Sequence, residues 1–221
     1  MIELPHLASG AAALANSPNE TRIRAIRSDR WVGFDRARRV LRHLDGLCDH
    51  PPSTRPPGLA IYGHSGMGKT MLVEKFKRNH PPIIDHSTGV ESMPVLAITL
   101  TSRPTERRIY GQLLMAMGAS IAGDTQLARR LDQFVLPRWK ADEEFQELVT
   151  AILRSLPLKL PSALSSQSLR HLSRLGDGIT ARVFGILNEL AIEAIQDGTE
   201  RITDENIESW KPALEKEAAF A

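Results

Sequence analysis

The sequence is short of the residues on which several protein classes depend. Cys48 is the only cysteine among 221 residues, which excludes an intramolecular disulfide and a cysteine-based zinc site and suits a reducing cytosol. Aromatic residues make up 5% of the chain. No apolar run approaches the roughly 18 residues of a membrane span, and the first residues carry no basic segment of a signal peptide. We therefore expect a cytoplasmic protein without a membrane partner.

Charge of one sign is not in large excess either. Lys and Arg number 28 and Asp and Glu 26, which gives a net charge of +2. This balance neither requires nor excludes binding of nucleic acid, so the distribution of the charges along the chain is the relevant observation. Basic patches are typical of proteins that bind the phosphate backbone of nucleic acid, although a run of charges can also be a solvated helix face. One cluster lies near the N-terminus, at Arg22, Arg24, Arg27, Arg30, Arg36, Arg38, Arg39 and Arg42. The second comprises Arg103, Arg107 and Arg108, and it predicts salt-sensitive binding of DNA without sequence preference.

Apolar residues at helical spacing predict most of the secondary structure. A capping box at Ser17–Glu20 with Pro18 as the first helical residue predicts a helix to about Arg27. Further helices are predicted from Phe34 to about Leu47, over 70–78 and over 105–117. Four more are expected in the last third, where Gly176 and Gly198 end the second and third and Thr203 starts the fourth. Short apolar runs predict strands at 58–62, 94–100 and 133–136, and residues 1–15 carry no clear signal.

A phosphate-binding motif follows the first predicted strand. It has the form G-x-x-x-x-G-K-[ST], with an apolar strand before it and a helix after it. Its glycines allow backbone N–H groups to surround a phosphate chain, Lys69 would contact the β- and γ-phosphates, and the Thr70 hydroxyl would bind Mg²⁺. A chance glycine turn is the alternative. The motif predicts nucleotide binding by Gly63, His64, Ser65, Gly66, Met67, Gly68, Lys69, Thr70 and the adjoining Met71.

The acidic motif that a hydrolase of this class also needs is not visible. It would be an apolar strand that ends in Asp and usually a following Glu. Asp142-Glu143 and Asp204-Glu205 have the pattern of helix starts, and Asp85 lacks a following Glu. Whether the protein hydrolyses a nucleotide is therefore left open.

The chain resembles the TniB/TnsC-type transposition ATPases, a branch of the AAA+ superfamily. The phosphate loop is common to many families, whereas the block that runs from Gln126 into Leu136–Trp139 is more particular. The resemblance rests on 29–33, the phosphate loop with Glu74-Lys75-Phe76, 94–96, 123–132, 136–139 and 156–158. It implies a bacterial-type protein that binds ATP and Mg²⁺, assembles into a ring or filament on double-stranded DNA, and recruits a transposase or a target-selection protein.

The resemblance also implies roles for single residues. Arg130, with Arg129 as its near competitor, is similar to the arginine finger that contacts the γ-phosphate held by a neighbouring subunit. Arg182 is similar to the second sensor in the lid, and Trp31 and Val32 to residues that pack on adenine. A surface arginine and a plain core aromatic are the alternatives. In related rings the second basic cluster faces the central pore.

Relatives carry two more strand–helix units between Ala119 and Ile121. At about 30 residues for each unit, about 60 or more residues are absent, either from the protein or from the chain as given. The missing units bear the acidic motif and the first sensor. Without them the strand before the phosphate loop would keep only its neighbour near Phe134, and the strand at 95–99 would lose its usual partner.

We therefore expect an α/β fold, a P-loop NTPase core of the AAA+ type with a parallel sheet, followed by a small all-helical lid. The expected domains are a helical segment at 1–50 with the adenine-side residues, a core at 51–137 that is shortened near 119–121, and the lid at 138–221. The leading function is ATP-dependent regulation of DNA transposition. The alternatives are a catalytically silent remnant that binds nucleotide or a partner without hydrolysis and a small P-loop phosphotransferase, which the C-terminal helices disfavour.

Overall fold

The computed structural model describes residues 4–52, 56–84, 91–100, 105–116 and 132–211, and these are mainly helical. The helices are α1 (Ser9–Ala15), α2 (Asn19–Arg27), α3 (Asp35–Cys48), α4 (Lys69–Asn79), α5 (Glu106–Ala116), α6 (Glu143–Ser155), α7 (Ser166–Leu175), α8 (Thr180–Gln196) and α9 (Asp204–Ser209). The strands are β1 (Leu59–Gly63), β2 (Ile83–Ile84), β3 (Glu91–Ser92) and β4 (Asp132–Leu136). The helix-rich structure with its small parallel sheet is compatible with a P-loop-like core.

The helices predicted from apolar periodicity are present to within a few residues at their ends. In α6 the spaced apolar side chains are buried, and Asp142 caps the helix by accepting a hydrogen bond from the Phe145 N–H. The helix start expected at Thr203 is also confirmed, since its side chain accepts from the Asn206 N–H, and Ser165 caps α7 in the same way. Asp142 and Asp204 thus lie at helix starts and not at strand ends.

The N-terminal region differs from the prediction in two ways. Residues 9–15 form α1, which carries no capping side chain and buries the small residues Ala11 and Ala15. The predicted capping box of α2 is wrong: Pro18 is the N-cap residue and no side chain caps this end. Asn19, the first residue of the helix, donates its side-chain N–H to the Ile195 carbonyl of α8 at 3.3 Å.

The main strand pair is the one expected for a core without the two extra strand–helix units. β1 pairs with β4, the strand near Phe134 that was predicted to be its remaining neighbour. The predicted strand at 94–100 is wrong, since residues 95–100 have no strand assignment. An extended segment becomes a strand only through a partner's hydrogen bonds, and the usual partner of this segment was expected to be missing. A short antiparallel pair, β2 with β3, was not predicted; Ile83 lies opposite Ser92 in it.

The chain divides into two compact units, and the first comprises the described parts of 1–38, 63–68 and 136–221. In this unit α2 packs on α8, α1 packs on α2 and α6, and α7 packs on α8 and α9. Its core is built mainly from fully buried side chains of the C-terminal helices. They include Phe145, Leu148, Ile152, Leu172, Leu187, Ile195 and Ile207.

Arginines of the first basic cluster cross-link this unit. Arg22 is completely buried; it donates twice to the Pro157 carbonyl, at 3.0 and 2.6 Å, and forms an ion pair with both carboxylate oxygens of Glu200. Arg30 donates to the Ser155 hydroxyl at 3.1 Å and to Asn188 Oδ1 at 2.6 Å, and burial lowers its pKa. Arg22 and Arg30 thus stabilise the fold. Neither interpretation of the first basic cluster, a DNA-binding patch or a solvated helix face, predicts this role.

The second unit comprises the described parts of 39–62 and 69–135. Val40, Leu41, Leu72 and Phe76 are its buried apolar side chains on α3 and α4. His80, which follows α4, lies 3.5 Å from the Asp45 carboxylate of α3. None of the helices in the described ranges has the length and apolar character that crossing a membrane requires.

Candidate functional site

The phosphate loop lies between β1, which ends at Gly63, and α4, which begins at Lys69. Gly66 and Gly68 have φ of 79° and 84°, in the left-handed region that side chains disfavour. A Cβ atom at Gly68 would meet nothing within 4 Å, whereas one at Gly66 would lie 3.0 Å from Ile179 Cγ2. Gly68 is thus required by backbone conformation alone and Gly66 also by close packing.

The phosphate loop contacts the first turn of α8 at Gly66. The Ala181 N–H donates to the Gly66 carbonyl at 3.0 Å. The N-cap residue of α8, Ile179, offers no capping side chain, so the Gly66 carbonyl satisfies one of the N–H groups that a helix start leaves unpaired. Next in the loop, the Met67 side chain is buried, and its sulfur lies 4.0 Å from the Thr180 hydroxyl.

Trp139 joins the same contacts from the segment that follows β4. Its indole Nε1–H donates to Thr180 Oγ1 at 2.9 Å, and its backbone N–H donates to the Gly178 carbonyl at 2.9 Å. The Arg36 guanidinium lies over the indole, 3.7 Å from the ring centroid, and donates to Glu144 at 2.5 Å. The sequence identified the Leu136–Trp139 block, but it did not predict the contacts that Thr180 and Arg36 make with Trp139. A buried polar residue leaves no periodic signal, so neither could have been found from spacing.

The described residues fit a nucleotide's phosphate chain. His64, Ser65 and Gly66 are exposed, and Lys69 and Thr70 form the first turn of α4, where helix N–H groups favour an anion. Within the described ranges no group of three or more His, Cys, Asp or Glu side chains could hold a metal ion alone. The Thr70 hydroxyl is the group of the loop that could hold Mg²⁺ together with the phosphates. Met71, the next residue of the helix, is half-buried.

Arg182 follows Ala181 in the first turn of α8, so the structure brings the candidate sensor next to the contact with the loop. Its side chain is 58% exposed, and its guanidinium lies 3.4 Å from an Asp177 carboxylate oxygen. The other oxygen of Asp177 accepts from Arg138 at 2.6 Å. Asp177 itself has φ of 51°, which is uncommon outside glycine. Arg182 is therefore loosely held at the surface.

The other predicted site residues are spread along the chain. Val32 is buried and Trp31 half-buried, in the segment between α2 and α3. Arg108 is exposed on α5, and Arg107 belongs to the same helix. Arg103, Arg129 and Arg130 lie outside the described residues, as do 119–121, where relatives carry the extra units.

A cavity of about 260 Å³ lies elsewhere in the first unit. Its walls come from the start of the chain, from α6, from the segment before α7 and from α7 itself. They combine apolar side chains, as at Leu7, Val149 and Leu169, with polar ones such as Gln146 and Arg154. None of the residues predicted to bind nucleotide lines it. The cavity is therefore separate from the phosphate loop.

Comparison with known proteins supports the family resemblance. Residues 22–123 match the family model described as bacterial TniB protein. This segment runs from α2 through the phosphate loop to beyond α5, and it ends before Trp139 and the C-terminal helices. No curated protein matches the chain. The predicted resemblance to TniB-type transposition proteins is thus confirmed over residues 22–123.

Proposed function

We propose that this protein is an ATP-binding AAA+ regulator of DNA transposition, which assembles on double-stranded DNA and recruits or activates a transposase. The observation that carries the proposal is the loop at 63–70, with two left-handed glycines directly before α4, inside the segment that matches the TniB family. ATP with Mg²⁺ would supply a charged ligand whose hydrolysis can reset an assembly. The chain's own residues bind its phosphates and hold the loop in shape.

Lys69→Ala tests nucleotide binding. Removing the ammonium group should weaken the affinity for Mg²⁺ and a non-hydrolysable ATP analogue by about 100-fold or more, since hydrogen bonds to charged groups are the strong ones. Isothermal titration calorimetry measures this affinity. Lys77→Ala is the matched control, because Lys77 lies on the same helix and forms an ion pair with Glu74 at the surface. Equal affinities in wild type and Lys69→Ala would contradict the proposal.

A catalytically silent protein is the second candidate, and a specific observation favours it. Asp142 caps α6 and Asp204 begins α9, so neither acidic pair supplies a strand-end carboxylate for Mg²⁺. Turnover of ATP measured with and without duplex DNA separates the candidates. Turnover stimulated by DNA supports the regulator, binding without turnover supports the silent protein, and transfer to a small acceptor supports a phosphotransferase.

DNA binding is proposed for the second basic cluster. The affinity for duplex DNA of any sequence should fall steeply as salt is raised from about 50 to about 200 mM. Substituting Arg103, Arg107 and Arg108 by Ala should lower the slope of log K against log salt by up to about 3, close to one for each lost phosphate contact. Fluorescence anisotropy measures both quantities. Arg170→Ala, at an exposed arginine of α7, is the control; a slope unchanged by the triple substitution would refute the assignment.

The intact protein's mass decides how the shortened core is to be understood. A mass that matches the printed sequence means that the acidic motif is absent from the protein itself. A mass larger by about 60 residues or more means that a strand–helix segment belongs near 119–121. Only the second result leaves room for the hydrolysis that the family resemblance implies.

A further inference from the structure

The contacts between the phosphate loop and α8 converge on one hydroxyl group. Thr180 is 7% exposed, and its oxygen accepts the indole N–H of Trp139 at 2.9 Å. A hydroxyl has one proton to donate, and the Met67 sulfur at 4.0 Å is an acceptor for it. Thr180 therefore links the loop on one side to the Trp139 segment on the other.

The Trp139 segment is fixed in place by contacts with three other residues. A Cβ atom at Gly178 would lie 2.6 Å from the Trp139 carbonyl oxygen, so the two backbones are in close contact. The indole is stacked under Arg36, and the edge of the Phe34 ring meets it with centroids 5.5 Å apart. Because the ring is fixed in this way, its N–H has a fixed direction, and the Thr180 hydroxyl is the group that it meets.

The loop side is held by a second bond from the same turn. Ala181, next to Thr180, donates its N–H to the Gly66 carbonyl. Gly66 and Gly68 have left-handed backbone conformations. Conformations of this kind persist where surrounding contacts determine them. The first turn of α8 supplies such contacts at Gly66 and Met67.

We propose that Thr180 and Trp139 are positioning residues of the phosphate loop: they hold Gly66 and Met67 on α8 in the conformation that binds phosphate, and they couple occupancy of the loop to the surroundings of the Trp139 indole. This inference rests on the proposed nucleotide binding. Neither residue touches the nucleotide. Their effect passes through the Gly66 carbonyl and the Met67 side chain.

Thr180→Val and Thr180→Ser form the matched pair that tests the inference. Valine keeps the shape but leaves the buried indole N–H without an acceptor, which is costly, whereas serine keeps the hydroxyl. We expect the affinity for Mg²⁺ and an ATP analogue to fall about 10-fold in Thr180→Val and to stay near the wild-type value in Thr180→Ser. Calorimetric titration measures both.

Two further readouts do not depend on affinity. In the free protein, hydrogen exchange at the Ala181 amide should speed up in Thr180→Val and not in Thr180→Ser, because the contact with Gly66 loosens. Nucleotide should also shift tryptophan emission in a Trp31→Phe protein, which lacks the tryptophan expected beside adenine, and the shift should disappear when Trp139→Phe is added, which leaves Trp210 as background. A purely structural role for Trp139 predicts no such shift.

The outcomes separate the two proposals. Wild type that binds no nucleotide overturns the proposed function, and the positioning role falls with it, before any substitution is made. Wild type that binds, with Thr180→Val binding equally well and retaining its circular dichroism spectrum, overturns the positioning role alone. If Thr180→Val does not fold, Trp139→Phe replaces it, and unchanged affinity and Ala181 exchange there have the same meaning.

Discussion

At the scale of single residues, the buried Arg22 joins several segments of the first unit. It is fully buried and its guanidinium contacts Pro157, Glu200 and Asn19, which lie on three separate segments. Removing one partner of such a pair leaves an uncompensated charge, which is more costly than losing the pair's own energy. Arg22 thus joins α2 to the segments that follow α6 and α8.

Arg22→Met should lower the free energy of unfolding by about 3–5 kcal/mol, because Glu200 loses its main counter-ion. Urea denaturation followed by circular dichroism measures this change. Arg24→Ala is the control, since Arg24 is exposed on the same helix; it should stay within about 0.5 kcal/mol of wild type. Equal midpoints and slopes for Arg22→Met and Arg24→Ala would refute the assignment.

The loss of stability at acid pH is expected to depend on the ionisation of Glu200. Burial alone would raise its pKa, but hydrogen bonds from Arg22 and from the Lys159 amide outweigh burial and lower it. A carboxylate whose pKa is lowered by folding stabilises the protein above its unfolded pKa of about 4.3. That stabilisation is lost as the pH falls through the lower folded value. The pKa values of Asp197 and Asp204 are also lowered, by hydrogen bonds from Thr199 and Ser165.

Glu200→Gln should therefore flatten the decline in unfolding free energy between about pH 5 and the acid transition. Urea denaturation at a series of pH values measures the decline. Glu205→Gln, at an exposed carboxylate of α9, is the control and should leave the slope unchanged. A wild-type slope retained in Glu200→Gln would mean that other carboxylates set the acid limit.

At the scale of elements, helices were predictable and strands less so. A helix's hydrogen bonds and its apolar stripe both lie within one stretch of sequence, which is why α3, α6, α7 and α8 could be predicted from spacing. A strand needs hydrogen bonds from a partner strand elsewhere in the chain, and the sequence of the strand itself does not identify that partner. The apolar run at 95–100 has no partner strand among the described residues, whereas β1 and β4 were predicted.

The candidate site divides in the same way. The loop at 63–70 could be predicted because eight consecutive residues carry the chemistry. Its supporting contacts could not, because Thr180 lies 113 residues from Met67 and 41 from Trp139. Arg30 and Arg36 were grouped with a surface charge cluster, since a sequence gives no indication that a given arginine is buried. Arg130 remains a prediction from resemblance.

At the scale of the whole molecule, the family match and the compact units do not share boundaries. The match covers 22–123, whereas the first unit joins 4–38 and 63–68 to 136–211 within the described residues. The segments that complete this unit therefore lie partly beyond the match. The C-terminal helices belong to the same compact unit as residues 63–68 of the phosphate loop.

The carbonyl of Gly66 that receives the Ala181 N–H has a practical consequence for experiments. A recombinant fragment trimmed to the family segment would keep every letter of the nucleotide motif, yet it would lack the helix on which the loop rests and the acid that neutralises Arg22. Inactivity of such a fragment would say nothing about the motif. Biochemical dissection of this protein should accordingly proceed by point substitution in the whole 221-residue chain.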